Sequence, residues 1–166
     1  MKAVVVYESH WGNTAAIARA IADGIGPEAE VLDTDSALGP ALADVTLVVA
    51  GAPVLEYGLP TDRMEDAVAY SAGNGPSLPD ISHRSLRTWL SELPAGRGWA
   101  AAFETRQHWS PGGATGAIEH GLERAGYRPA AKPGKFIVEG RYGPLQQGEL
   151  ERARRWGMEL RSRLAD

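Results

Sequence analysis

Five apolar segments of strand length alternate with longer amphipathic segments along the chain. The strand candidates are rich in Val, Ala and aromatic residues, and the near-continuous apolar run at Val45–Ala50 is typical of a strand covered on both faces. The predicted strands are Ala3–Tyr7, Ala29–Leu32, Val45–Ala50, Trp99–Phe103 and Lys135–Val138. Because helical patterns separate most of them, we expect a doubly wound α/β fold with one parallel sheet and helices on both faces.

Apolar residues at helical spacing predict four main helices. They cover Asn13–Gly24, Ser82–Leu93, Ala114–Ala125 and Gly148–Leu164. A long segment from Gly51 to Ile81 separates the third and fourth strands and is rich in Pro, Gly, Ser and Asp. A further short helix is predicted within it at about Asp62–Tyr70. Connections of this length are usually functional or disordered.

Composition narrows the classes of protein to consider. With 166 residues and 43% hydrophobic residues, the chain has the size of a single domain, which we assign to residues 1–166. The absence of cysteine excludes disulfides, thiol catalysis and cysteine-ligated metal centres, so redox chemistry needs a bound cofactor. A net charge of −4 disfavours nucleic-acid binding. No leader pattern or membrane-spanning run is present, and we expect a soluble cytoplasmic protein.

The loop between the first strand and the first helix carries the clearest chemical signal. It reads Ser9-His10-Trp11-Gly12-Asn13-Thr14. A helix N-terminus offers unpaired N–H groups and the positive end of the helix dipole, so it binds anions. Hydroxyl and amide groups of Ser9, Asn13 and Thr14 add hydrogen-bond donors, and Gly12 lets the backbone approach a ligand closely.

A simpler interpretation is that Ser9, Asn13 and Thr14 only cap the helix, since these residue types are common caps. The residues that the loop lacks narrow its ligand. There is no Gly-Lys-Ser/Thr ending for a nucleoside triphosphate and no three-glycine fingerprint for a dinucleotide. The loop therefore suits one terminal phosphate monoester.

The same loop resembles the FMN-phosphate loop of the flavodoxin family, which usually reads Ser/Thr-x-Ser/Thr-Gly-Asn-Thr. Ser9, Gly12, Asn13 and Thr14 match that pattern, whereas Trp11 replaces the middle hydroxyl residue. The resemblance implies a five-stranded sheet of order 2-1-3-4-5 with FMN at the carboxyl ends of strands one and three. It is to the short-chain form of the family, because only Gly140–Gln147 separates the last strand from the last helix.

The resemblance also implies where the flavin is held. Its phosphate would be bound by Ser9, His10, Trp11, Gly12, Asn13 and Thr14. The isoalloxazine ring would be bound by the loops Ala52–Leu59 and Glu104–Gly113, through Ala52, Pro53, Tyr57, Thr105, Trp109 and Gly113. The second loop matches the family pattern only in part, since Val54 stands where threonine is usual.

Several of these side chains have a second interpretation. Tyr57 is either a ring-stacking residue or a surface tyrosine on its own loop, and Trp109 either flanks the flavin or covers an edge of the sheet. Arg106 either lies near the flavin or forms an ion pair with Glu8 or Glu104. His10 is either a source of positive charge beside the phosphate or an exposed loop residue. We identify no catalytic residue and no metal site.

The resemblance implies an FMN-binding protein that moves electrons between protein partners, such as a flavin or iron–sulfur reductase and an acceptor. An FMN-dependent NAD(P)H:quinone-type oxidoreductase would keep the same cofactor. A flavodoxin-like domain that acts in regulation without flavin is a third alternative, which the departures at Trp11 and Val54 motivate. Donor, acceptor, redox potential and oligomeric state do not follow from the sequence.

Overall fold

A parallel sheet forms the centre of the computed structural model, which describes residues 1–70 and 78–165. Its strands are β1 (Ala3–Tyr7), β2 (Ala29–Asp33), β3 (Leu47–Pro53), β4 (Trp99–Gln107), β5 (Arg128–Pro129) and β6 (Gly134–Val138). The order is β2-β1-β3-β4, and β5 and β6 both pair with β4. Every ladder is parallel. The predicted doubly wound sheet of order 2-1-3-4-5 is confirmed, with two short strands sharing the fifth position.

Helices cover both faces of this sheet. They are α1 (Asn13–Ile25), α2 (Asp62–Tyr70), α3 (Leu86–Glu92), α4 (Thr115–Arg124) and α5 (Glu149–Ala165). Alternate β1 residues point to opposite faces, so Val5 packs with α1 and α5 whereas Val4 packs with α3 and α4. No helix in the described part of the chain is both long and apolar enough to span a bilayer.

Two strands extend further towards their carboxyl ends than the sequence predicts. β3 continues to Pro53 instead of Ala50, and β4 continues to Gln107 instead of Phe103. The two strands support each other, since Ala52 pairs with Glu104 and Pro53 with Thr105. These four residues therefore lie on strand ends, where backbone pairing holds them more firmly than a loop would.

The fifth strand is interrupted. Besides the predicted segment at its carboxyl end, Arg128 and Pro129 pair with the start of β4. The intervening residues 130–133 leave the ladder before Gly134 pairs with Phe103. The short helix predicted at Asp62–Tyr70 is present as α2. Residues 71–77 of the long predicted segment lie outside the described residues.

Candidate functional site

A cavity of about 380 Å³ opens at the carboxyl edge of the sheet, next to the point where the strand order reverses between β1 and β3. Ligands of doubly wound folds bind at this position. Eight of the predicted site residues line the cavity: Ser9, His10, Trp11, Asn13, Thr14, Pro53, Thr105 and Trp109. The other four predicted residues, Gly12, Ala52, Tyr57 and Gly113, are not among its lining residues.

Other parts of the chain complete the cavity wall. They contribute Val54, Leu55, Glu56, Met64, Ala67, Arg106, Gln107, Ser110, Val138 and Arg141. Val138 and Arg141 come from the end of β6 and the segment after it, which sequence reasoning did not include. The signal was present, because a strand that pairs with β4 must end at the same edge of the sheet. Met64 and Ala67 come from α2, whose docking position has no signature in the sequence.

The N-terminus of α1 at this cavity carries no side-chain cap. Gly12 is the N-cap residue, and within residues 1–70 and 78–165 no side-chain capping hydrogen bond is made there. The first intrahelical bond runs from the Ala16 amide to the Gly12 carbonyl at 2.9 Å. The amides of residues 13–15 therefore have no acceptor within the helix. None of Ser9, Asn13 and Thr14 is therefore the N-cap residue of α1.

The polar side chains of the loop have other partners. The Ser9 hydroxyl accepts a hydrogen bond from the Gly12 amide at 3.2 Å, and the Asn13 amide nitrogen donates to the Tyr142 carbonyl at 3.1 Å. The hydroxyls of Thr14 and Thr105 lie 2.7 Å apart and share one hydrogen bond. These contacts fix the loop around the helix N-terminus. The Ser9 hydroxyl proton, and that of one of the two threonines, can still be donated to a ligand.

Gly12 has the backbone conformation that the sequence predicts for a close approach. Its φ angle is +92°, in the region that favours glycine, and a Cβ atom built there would meet no atom within 4 Å. Among the described residues, the space beside the Gly12 backbone is therefore open. An anion can come close to the backbone at this point without displacing a side chain.

The second and third loops contact each other through their backbones. The Gly113 amide donates to the Tyr57 carbonyl at 3.1 Å. At Gly112, with φ +70°, a Cβ atom would lie 2.0 Å from the same carbonyl oxygen, so only glycine fits. The Tyr57 side chain is 71% exposed, and Trp109, on the cavity wall, is 75% exposed. The exposure of the Trp109 side chain excludes the alternative in which Trp109 covers an edge of the sheet.

Arg106 forms an ion pair with the buried carboxylate of Glu104. Arg106 Nη1 lies 2.9 Å from Glu104 Oε1, and it also donates to the Gly112 carbonyl at 3.0 Å. Glu104 Oε2 accepts hydrogen bonds from the Ala114 amide at 2.6 Å and the Thr115 amide at 3.0 Å. Of the two interpretations of Arg106, the structure supports the ion pair. The pair fixes the third loop to the start of α4.

His10 is buried, so its interpretation as an exposed loop residue is wrong. Its Nε2 lies 3.1 Å from Glu8 Oε2 and 3.8 Å from Glu65 Oε1. Burial disfavours the charged ring, but the neighbouring carboxylates of Glu65 and Glu8 outweigh it and raise the pKa of His10 from 6.5 to about 9. His10 is therefore positively charged at neutral pH.

Comparison with solved structures finds this fold in several flavoproteins. A flavodoxin from the domain Archaea is 21% identical and superposes with a TM-score of 0.69 over 100% of both chains. Oxidised Flavodoxin 2 from Bacillus cereus is 14% identical, with a TM-score of 0.70 over 98% of this chain and 99% of that one. The flavodiiron protein from Giardia intestinalis is 22% identical with a TM-score of 0.62, and the match covers 99% of this chain but 36% of that protein.

No protein-family model and no curated protein sequence matches the chain. At these identities, the structural matches establish the fold. The chain has the flavodoxin-like fold.

Proposed function

We propose that this protein binds FMN non-covalently and transfers electrons between protein partners. The observation that carries the proposal is the uncapped N-terminus of α1, which opens into the cavity at the reversal of strand order. A helix start without a side-chain cap at the ligand position of this fold favours an anionic ligand. The flavodoxins with the same fold give FMN as the first candidate.

The phosphate-binding part of the proposal rests on the loop 9–14. Amides of residues 13–15 supply N–H donors, and the buried hydroxyls of Ser9 and Thr14 lie beside them. The open space at Gly12 admits the phosphate. Positive charge on His10 would favour a dianion nearby, although Glu8 and Glu65 offset much of it. The donor set therefore fits one phosphate monoester.

The ring-binding part rests on the wall formed by Pro53, Thr105 and Trp109. Ala52 and Gly113 support this wall from behind, through the β3–β4 ladder and the bond to Tyr57. We propose that Trp109 contacts the ring from the cavity wall and that Tyr57 contacts its outer edge. When bound, FMN supplies the redox chemistry, which the cysteine-free chain lacks.

The exposed aromatic side chains at the mouth of the cavity favour electron transfer to another protein. Trp109 and Tyr57 are both largely exposed at the mouth of the proposed flavin site. A flavin edge between them would lie within reach of a docked reductase and acceptor. The proposed partners are a flavin or iron–sulfur reductase and a protein acceptor.

The proposal predicts that the protein binds FMN much more tightly than riboflavin, which lacks the phosphate. Thr14→Ala should weaken FMN binding by about 1–3 kcal/mol, because it removes a hydroxyl beside the buried phosphate site. Riboflavin serves as the internal control, since its affinity for the variant should be unchanged. Calorimetric titration of both flavins into both proteins provides the measurement, and Ser9→Ala should behave in the same way.

Equal affinity for FMN and riboflavin would contradict the phosphate site. Absence of binding to either flavin would favour the regulatory alternative without cofactor. If FMN binds, consumption of NADPH or NADH with a quinone by the purified protein would favour the oxidoreductase instead. A carrier should consume neither nucleotide until a reductase is added.

A second prediction separates ring contacts from phosphate contacts. Trp109→Ala should weaken FMN and riboflavin by the same factor, equivalent to about 0.5–1.5 kcal/mol, because stacking acts on the ring that both flavins share. Tyr57→Ala should have a smaller effect, since Tyr57 is not on the cavity wall. Both side chains are exposed, so the variants should keep the unfolding midpoint of the parent chain. A loss for FMN alone would contradict the ring assignment.

A further inference from the structure

Three ionisable side chains from separate segments meet beside the cavity. Glu8 follows β1, His10 belongs to the phosphate loop and Glu65 lies in the first turn of α2. One ligand atom from each residue lies within 4.8 Å of the other two. The side chains of Glu8 and His10 are 0% and 1% exposed, and that of Glu65 is 14% exposed.

Within the described residues, three buried polar atoms of this cluster have no hydrogen-bond partner. They are Glu8 Oε2 and both ring nitrogens of His10. The 3.1 Å approach of His10 Nε2 to Glu8 Oε2 brings opposite charges together but does not have hydrogen-bond geometry. Buried polar atoms are nearly always paired, and leaving them unpaired costs free energy. Two of these atoms, His10 Nε2 and Glu8 Oε2, lie 3.1 Å apart.

We propose that Glu8, His10 and Glu65 bind a divalent first-row transition-metal ion of the Zn²⁺ class. Two ligands held about 2.1 Å from one ion lie about 3.0 Å apart at a right angle and about 3.4 Å apart in a tetrahedron. The Nε2 to carboxylate distances of 3.1 Å and 3.8 Å are close to these values. A small movement of the Glu65 side chain, on the exposed side of the cluster, completes a three-ligand site.

The donor set and the charge select the class of ion. One imidazole nitrogen with two carboxylate oxygens suits Zn²⁺ and related ions, whereas Mg²⁺ and Ca²⁺ prefer oxygen alone. Two carboxylates and a neutral imidazole sum to −2, which a divalent ion balances. The ion takes the place of the proton on His10.

A second contact orients the most buried ligand. Glu8 Oε1 accepts a hydrogen bond from the Leu86 amide at 2.6 Å, which leaves Oε2 directed at His10. Partners of this kind hold ligands in place in metal sites. The Glu8 carboxylate thus has one oxygen fixed by α3 and the other available to an ion.

An ion at this position would join the first loop to α2. Met64 and Ala67 of α2 form part of the cavity wall, and His10 lines the same cavity. The ion would therefore fix α2 as a wall of the cavity, and through His10 it would lie next to the phosphate-binding loop. This inference goes beyond the proposed function and does not depend on it.

Zn²⁺ binding to the tag-free, flavin-free full chain tests the site. We expect one Zn²⁺ per chain by calorimetry and elemental analysis after dialysis, together with a higher unfolding temperature in its presence. Glu65→Gln should weaken Zn²⁺ binding by about tenfold or more, because it removes a charged ligand while keeping the shape of the side chain. Mg²⁺ at the same concentration should not replace Zn²⁺.

Asp66→Asn is the matched control on the same helix. Asp66 is exposed and lies outside the cluster, so this variant loses the same charge and should bind Zn²⁺ like the parent. Far-UV circular dichroism spectra of the three proteins without metal should agree, which separates loss of a ligand from loss of the fold. Failure of the parent chain to bind Zn²⁺, or equal binding by Glu65→Gln, would overturn the proposal.

Discussion

Replacing Glu104 with alanine should lower the free energy of unfolding by about 3–5 kcal/mol, the range measured when one partner of a buried charged network is removed. The carboxylate is fully buried. It pairs with Arg106 and accepts hydrogen bonds from two amides at the start of α4. The variant would leave those buried amides without an acceptor and Arg106 without its carboxylate. Unfolding in urea, followed by circular dichroism, measures the loss.

Glu123→Ala provides the matched control for this prediction. Glu123 is an exposed residue of α4, so the substitution should change the free energy of unfolding by less than about 0.5 kcal/mol. Glu104→Gln should fall between the two, since its amide oxygen can still accept from the start of α4. A Glu104→Ala protein as stable as the control would show that solvent or side-chain rearrangement replaces the network.

Glu104 also shows why part of the site did not follow from the sequence. Its position was assigned to a loop, because the apolar run of the fourth strand ends at Phe103. The strand nevertheless continues to Gln107, since β3 and β6 pair with it on both sides. The pattern of apolar residues reveals strands whose hydrophobic side chains are buried. It does not detect a buried carboxylate that helix amides and an arginine satisfy.

The fold was easier to predict than the site for a related reason. Strand and helix patterns depend on many residues, so an error of up to four positions at an end leaves the topology unchanged. The side-chain environment of His10 depends on Glu65, which lies 55 positions further along the chain (65 − 10), in a helix whose docking has no local signal. The phosphate loop was predictable because its residues are contiguous.

Gly157→Ala should be the second most damaging substitution, with a loss of about 2–3 kcal/mol in the free energy of unfolding. Alanine favours a helix over glycine by about 1 kcal/mol, so propensity alone predicts a gain. The close packing of α5 on α1 turns this expected gain in stability into a loss. A Cβ atom at position 157 would lie 2.2 Å from the Ile21 carbonyl oxygen. The backbone of α1 cannot rotate away from the new methyl group as a side chain could, so the two helices would have to separate.

Gly24 makes the same contact from the opposite helix, since its Cβ would lie 2.0 Å from the Arg154 carbonyl oxygen. Gly24→Ala should therefore reproduce the loss. Gly116→Ala, in an exposed position of α4 where a Cβ meets no atom within 4 Å, should leave stability unchanged or raise it by up to about 1 kcal/mol. Thermal and urea unfolding of the three variants gives the comparison. If Gly157→Ala were as stable as Gly116→Ala, the close backbone contact between α1 and α5 would not be the reason for glycine at position 157.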